Sequence, residues 1–473
     1  MTKTYDAVVV GSGPNGLAAA ITVARAGRSV LVLEANAEAG GGARTGELTL
    51  PGFNHDLFSA VHPLAVASPF FRSLPLEKYG LEWLHSHACA AQTLEGGEAV
   101  LLDRSVDATA QNLGEDGDAY RNLMAPLARR WEDLFGEILQ PVLHVPKHPF
   151  LLARFGLPSL LSAERFANLR FRGERARALF MGCAAHANAG LDQAGTASIG
   201  LMLSLAAHAR GWPIPRGGAG RISLALLSYL QSLGGEIRTG EPIHSLKQLP
   251  PSKMVFLDLT PRQILGLGNG TLPSSYQNTF GKFKYGHGVF KMDWALSGPI
   301  PWTAKSISRS ATVHLGGSSS EMAESHRTVA KGKIPAQPYV LLSQPTLFDP
   351  ARAPAGKHIA WAYCQVPNGS GENMVDAIES QIERFAPGFK KLVLARSVQS
   401  PAELQAKNAN LVGGDVAAGA VSLKQLLFRP TTAWNPYRMP LKGTYLCSAS
   451  TPPGPGVHGM CGHLSALSAL REL

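Results

Sequence analysis

Tyr5-Asp6-Ala7-Val8-Val9-Val10-Gly11-Ser12-Gly13-Pro14-Asn15-Gly16, continuing into Leu17-Ala18-Ala19-Ala20-Ile21, is the stretch that decides the fold. An apolar run of strand character enters a glycine turn, and an alanine-rich run of helical character leaves it. A second apolar run, Val30-Leu31-Val32-Leu33, ends at Glu34. Strand, G-x-G-x-x-G turn, helix, strand and acid, in that order, make a dinucleotide-binding βαβ unit. Gly11 permits the tight turn, Gly13 lets the backbone approach a pyrophosphate, and Gly16 lets the helix lie against the strand. Pro14 and Asn15 stand where the helix begins, so its free N–H groups and positive dipole end face the anion. Glu34 lies about 20 residues beyond the turn, with Ala35 beside it, placed to accept hydrogen bonds from a ribose 2′-hydroxyl and to repel a 2′-phosphate.

Downstream, Gly40-Gly41-Gly42-Ala43-Arg44-Thr45 is a glycine cluster ending in a cation. It reads either as a plain turn or, next to the first motif, as bare backbone at Gly41, Gly42 and Ala43 passing the dinucleotide while Arg44 neutralises a phosphate.

The 473 residues exceed one hydrophobic core, so two closely packed domains are expected. Hydrophobic residues make up 45% and charged residues 16%, a globular balance that excludes disorder. The net charge of +10 favours acidic partners, and anionic lipid headgroups fit it better than nucleic acid, which is not expected as a partner. No apolar run is long enough to span a bilayer, and the first strand begins too close to Met1 for a cleavable leader, so a cytoplasmic protein, peripheral to a membrane at most, is expected. Cys89, Cys183, Cys364, Cys447 and Cys461 are scattered, which suits a reducing compartment and provides no zinc set or redox pair; no metal is expected.

Residues 118–139 carry apolar positions at spacings of three and four and are expected to form one amphipathic helix, and residues 195–209 a second, whose apolar side packs in the core, lines a lipid pocket or touches a membrane. Arg216-Gly217-Gly218-Ala219-Gly220 opens a helix over 221–233, and strands follow at 236–238 and 254–258, returning the chain to the dinucleotide unit. Gly266-Leu267-Gly268-Asn269-Gly270 follows a helical stretch, so it is rejected as a second nucleotide loop. Alternating strands at 289–296, 311–315, 338–343 and 358–366, with helices near 321–329 and 373–385, read as a largely antiparallel substrate sheet under covering helices. The expected division is a discontinuous dinucleotide domain (1–85, 214–285 and 424–473) and an inserted mixed α+β substrate domain (86–213 and 286–423) within an α/β fold.

Near the other end, a short strand over 443–447 runs into Ser448-Ala449-Ser450-Thr451-Pro452-Pro453-Gly454-Pro455-Gly456-Val457-His458-Gly459-Met460-Cys461-Gly462 and a final helix. Strand, tight loop and helix start form a second anion-friendly pocket, suited to negative charge on a reduced flavin ring.

These segments together resemble the phytoene desaturase-like group of FAD-dependent oxidoreductases, in the glutathione-reductase-fold superfamily that also holds the amine oxidases. Residues 286–302, 312–317, 349–367 and 408–415 are similar to a bacterial branch near the animal pyridine nucleotide-disulphide oxidoreductase domain-containing proteins. The resemblance spans essentially the whole chain and implies a glutathione-reductase-type FAD domain with non-covalent FAD. It places the adenosine half on Gly11, Gly13, Pro14, Asn15, Gly16, Glu34, Ala35 and Arg44, and the isoalloxazine near Gly456, Val457, His458, Gly459 and Met460. It also implies hydride transfer at flavin N5 to or from an apolar polyene or lipid-like substrate. Disulphide reductase chemistry is not implied, because no cysteine pair has the spacing. Residues 243–254 are short and proline-rich where relatives carry a fuller hairpin.

The sequence singles out no catalytic base. Three weak candidates are His62, a flavin-facing or a structural histidine; His458, in the terminal loop; and Lys291, alternating with Asp293 on one strand, a position comparable to the amine oxidase lysine or to a surface lysine. Trp361 and Tyr363 share a strand face and line a substrate pocket or pack in the core, and Cys461 reads as a small buried residue rather than a flavin link. Two rival functions stand beside the desaturase-like one. An amine oxidase requires paired aromatics before the flavin. A non-catalytic binder of apolar partners, of the kind GDP-dissociation inhibitors represent, would need no flavin.

Overall fold

The computed structural model describes residues 3–267 and 272–473. A five-stranded parallel sheet forms from strands far apart in sequence: Thr444–Leu446, Ser252–Leu257, Tyr5–Val10, Val30–Leu33 and Glu236–Arg238, in that spatial order. Both faces of its central strands are covered, which is why Ala7-Val8-Val9-Val10 and Val30-Leu31-Val32-Leu33 are unbroken apolar runs and do not alternate.

Helix Pro14–Arg25 lies on this sheet with helices Gly220–Ser232 and Met460–Leu470 packed against it. The contact between first and last helix depends on one glycine. A Cβ at Gly462 would stand 1.8 Å from the Asn15 carbonyl oxygen, so any side chain would push the closing helix off the opening one. The two ends of the sequence are thus joined twice, through the sheet and through this helix crossing. Residues 243–251 contain only the 3₁₀ turn Leu246–Gln248 before the next strand, as their short proline-rich sequence suggests.

A seven-stranded sheet stands apart from the first. Its order is Val393–Gln399, Gly288–Leu296, His358–Val366, Val340–Ser343, Ser310–Leu315, Ala88–Thr93 and Ala99–Leu102. All neighbours are antiparallel except Ser310–Leu315 with Ala88–Thr93. Register separates its faces cleanly. Met292, Ala362, Leu342 and Val313 pair in one row, in the core cluster that holds Ile378, Ile382 and Phe385 of helix Val375–Phe385. One residue along, Asp293, Trp361, Ser343 and Thr312 form the neighbouring row on the opposite face.

The expected antiparallel substrate sheet is present, but it is wider and mixed. Strands Ala88–Thr93, Ala99–Leu102 and Val393–Gln399 were not anticipated. Ala88-Cys89-Ala90-Ala91 lacks the β-branched residues that announce a strand, and it is held by burial on both sides. The single helix expected over 118–139 is two, Gly117–Ala128 and Trp131–Ile138. Pro126 removes a helical N–H near the end of the first, and Arg130 leaves helical geometry (φ −120°, ψ 32°). The break lets Arg130 pair with Asp133 at 2.7 Å and sets Trp131 under the Arg72 guanidinium. Gly266 and Leu267 belong to or end the helix Pro261–Leu267; Gly268, Asn269 and Gly270 lie outside the described residues.

Candidate active site

Between the two sheets lies a cavity of about 880 Å³. One end is lined by Gly11, Gly13, Pro14, Asn15, Glu34, Ala35, Gly41 and Gly42; the loop Pro455, Gly456 and Val457 forms part of the wall, and Lys291, Trp361 and Tyr363 reach it from the second sheet.

The glycine turn is built by close approach. Gly11 has φ +99°, and a Cβ at Gly16 would stand 2.1 Å from the Gly11 carbonyl oxygen. A Cβ at Gly41 would meet the Gly13 Cα at 2.7 Å, so the two glycine segments pass backbone to backbone. Glu34 is fixed beside them. One oxygen accepts from the Ser12 N–H (2.9 Å) and hydroxyl (2.6 Å), and the other from the Asn36 N–H (2.9 Å) and side-chain amide (2.8 Å). Burial raises the Glu34 carboxyl, but the hydrogen bonds from Ser12 and Asn36 outweigh it and leave its pKa below the ordinary value.

Asp258, just beyond strand Ser252–Leu257, went unremarked in the sequence beyond its strand. Its carboxylate accepts the Gly16 N–H at 3.0 Å, and a Cβ on Gly13 would lie 2.7 Å from the same oxygen. Burial pushes its pKa up to about 7; the Gly16 N–H opposes the shift and the Glu34 charge adds to it. The signal was available: an acid ending a parallel strand next to the first one falls at the sheet's carboxyl edge, where ligands of such sheets bind.

Arg44 does not reach the cavity wall. It donates to the carbonyls of Gly41 and Lys407, both at 3.1 Å, and lies 5.2 Å over the Phe58 ring, so it braces the glycine segment from behind. Ala43 is buried alongside, in the loop whose carbonyl accepts from Ser223. At the other end, Gly456 and Val457 face the cavity, whereas His458, Gly459 and Met460 stand behind them. His458 Nδ1 accepts the Met460 N–H at 3.0 Å, and the His458 carbonyl accepts from Ser68 at 2.7 Å. Burial lowers the His458 pKa to about 4, and its Nε2 has no partner among the described residues. Cys461 donates to the carbonyls of Thr451 and Gly454, and burial pushes its thiol up to about 12, which makes it a brace for the loop and not a nucleophile.

His62 lines the cavity, held through its N–H on the Pro213 carbonyl, with Nε2 unpartnered among the described residues and pKa lowered by burial to about 4. Lys291 is buried and hydrogen-bonded to Asp293, with its ammonium 5.7 Å from the centroid of Trp361. Burial lowers the lysine and raises Asp293 to about 6. Behind them His55 stands 3.6 Å from Asp293, and Asp56 pairs with Arg352 at 2.8 Å. Asp56 also accepts from Thr45 (3.0 Å) and the Ala219 N–H (2.7 Å), tying the residue 216–220 glycine segment to the strand after Arg44. Trp361 and Tyr363 stand edge to face, 5.4 Å apart at 87°. Ile199, Met202 and Leu203 from helix Ala197–Arg210, together with Leu341 and Leu404, give an apolar stretch of wall, and polar groups including His186, Asn188, Thr312 and Ser343 line the cavity as well. That helix lines the cavity with one set of side chains and packs in the core with Leu201 and Leu205.

Residues 9–73 match the family of NAD(P)-binding Rossmann-like domains. Over 99% of this chain and 94% of its own length, the pyridine nucleotide-disulfide oxidoreductase domain-containing protein 2 of Mus musculus is 28% identical. A phytoene desaturase of Fusarium fujikuroi is 26% identical over 95% of this chain and 86% of its own. This chain is a homologue of both. Among solved structures, putrescine oxidase with bound putrescine superimposes over 100% of each chain with a TM-score of 0.66 at 17% identity, which establishes the shared fold. The α/β architecture with a Rossmann-like dinucleotide unit and a second, mixed sheet is therefore that of its relatives, and those relatives bear the names of oxidoreductases.

Proposed function

We propose that this protein is an FAD-dependent oxidoreductase acting on C–C or C=C bonds of an apolar polyene or lipid-like substrate, by dehydrogenation, isomerisation or saturation. The observation that carries the reading is the continuity of the cavity, from the Gly11–Gly16 turn and Glu34, past Gly456 and Val457, to the apolar wall of Ile199, Met202, Leu203 and Leu341. Its shape and chemistry fit an extended dinucleotide with a hydrophobic reactant beside one end. Gly11, Gly13, Pro14 and Asn15 would hold the pyrophosphate, Glu34 the ribose and the Gly456 segment the redox ring; bound FAD supplies hydride exchange at N5. The chain's own residues would orient the reactant and exclude water, with Lys291 held at the cavity wall by its bond to Asp293.

The kinship with the Fusarium phytoene desaturase supports C–C chemistry. An amine oxidase reading is weaker despite the shared fold. The aromatic pair stands edge to face on one strand, so it does not form two facing aromatic walls. The non-catalytic reading has against it the retention of Glu34, poised by Ser12 and Asn36.

The test is anaerobic bleaching of the flavin in purified protein by carotenoids, fatty acyl compounds and amines, each alone. Bleaching by a polyene or acyl compound supports the reading. Bleaching by amines alone, or a colourless protein that takes up no FAD, contradicts it.

A further inference from the structure

Helix Pro149–Ser159 is apolar on both sides. Leu151, Phe155 and Ser159, four residues apart, face the core, while Phe150, Ala153, Leu157 and Leu160 fall on the opposite side. Phe150 is 91% exposed and Leu157 69%. A helix apolar all round belongs in an interior, yet this one has its outer side open. The loop before it continues the surface with Val142, Leu143 and Val145, the last 89% exposed.

This loop is held in place. The buried Glu137 carboxylate accepts from the His148 N–H at 2.9 Å and bonds His144 Nε2 at 2.7 Å, and the other nitrogen of His144 bonds the Pro141 carbonyl at 2.7 Å. The three exposed aliphatic side chains are therefore presented outward by a fixed loop.

Within the segment itself the charge is one-sided, although Asp133 borders the loop 3.8 Å from His148. No acidic residue occurs between Glu137 and Glu164, whereas Lys147 and Arg154 both stand exposed there, and Arg165 and Arg170 follow. The geometry points to this face, residues 142–160, as a docking surface for an anionic lipid bilayer: Phe150 and Leu157 enter the acyl boundary while Lys147 and Arg154 meet the headgroups. A second copy of the chain is a poorer occupant. Two-fold pairing through the patch would set Lys147 and Arg154 against their own counterparts with no acid inside the segment to offset them. Helix Pro149–Ser159 also packs on helix Ala197–Arg210, whose Ile199, Met202 and Leu203 line the cavity. A docked bilayer would lie one helical layer from the cavity wall. The inference stands on the outer surface alone and does not require the redox reading.

Co-sedimentation of the full-length protein with vesicles tests it, using phosphatidylcholine alone and phosphatidylcholine mixed with phosphatidylglycerol. The expected result is binding to the mixed vesicles that weakens with salt, falls about tenfold or more in Phe150→Ser/Leu157→Ser and in Lys147→Glu/Arg154→Glu, and is unchanged in Trp434→Ser, which alters an exposed aromatic outside this segment. Thermal melting confirms that each variant is folded. Wild-type protein that stays in the supernatant with both vesicles overturns the inference, as does equal binding by the Phe150/Leu157 variant. A concentration-dependent dimer lost in that variant, without vesicle binding, assigns the face to a second copy instead.

Discussion

At Glu34 the side chain does two jobs that mutation can separate. It satisfies four donors from Ser12 and Asn36 and carries the charge a ribose hydroxyl would use. Glu34→Ala strands buried N–H groups and is expected to cost roughly 1–3 kcal/mol for each one left unpaired. Glu34→Gln keeps an acceptor and should fold, while affinity for FAD drops about tenfold, read by fluorescence titration. Asp258 gives a pH signature. Its pKa is raised from 3.8 to about 7, so the folded chain holds the proton more tightly than the unfolded one. The stability this contributes is complete below about pH 4 and is lost as pH rises through 7. Buried neutral histidines such as His62 act oppositely, their contribution being lost as pH falls below 6.5, so the comparison is between variants and not against pH alone. The melting temperature of Asp258→Asn should exceed that of wild type at pH 8 by more than it does at pH 5. An identical difference at both would show that Asp258 carries no such shift. Lys291→Met leaves Asp293 unpaired in the interior, an expected loss of roughly 3–5 kcal/mol, with most of it recovered by Lys291→Met/Asp293→Leu. Denaturant unfolding measures both.

Among elements, those with a strong local pattern of apolar runs, glycine turns or alternation were legible, and those with neutral composition were not. Tyr5–Val10, the helix after Pro14 and Val30–Leu33 follow directly from apolar runs separated by a glycine turn. The closing loop and helix were legible from their proline and glycine content, and the residues 289–296 and 358–366 strands from their alternation. Ala88–Thr93 escaped because its pairing partner, Ser310–Leu315, lies more than 200 residues away and its own composition is neutral between helix and strand. In the site, Gly456 and Val457 could be placed at the cavity from sequence. Arg44, His458 and Asp258 could not be resolved by motif, since which way each side chain turns is set by carbonyls and amides contributed from other parts of the chain. The crossing of the first and last helices yields its own prediction. Gly462→Ala puts a methyl into the Asn15 carbonyl and should cost about 3 kcal/mol, while also loosening FAD by displacing the start of the opening helix. Gly281→Ala, at a helical glycine with open space around it, is the control and should leave both unchanged.

Across the whole molecule, one sheet gathers strands from the beginning, middle and end of the sequence, and the second presents a wall with Lys291, Trp361 and Tyr363 to the space between them. No helix among the described residues is long and apolar enough to cross a membrane. The reaction proposed above would take place in the cavity between the two sheets. In the proposed site the opening glycine turn and the closing glycine loop hold one dinucleotide between them. Titrating flavin-stripped protein with FAD, and in parallel with NADH, tests it most directly when wild type is compared with Gly13→Val at one end and Val457→Trp at the other. The expected result is one FAD per chain, preferred to NADH, with binding lost or weakened at least tenfold by either substitution in protein that remains folded. Saturable FAD binding unaffected by Val457→Trp, or no FAD binding by wild type, would contradict it.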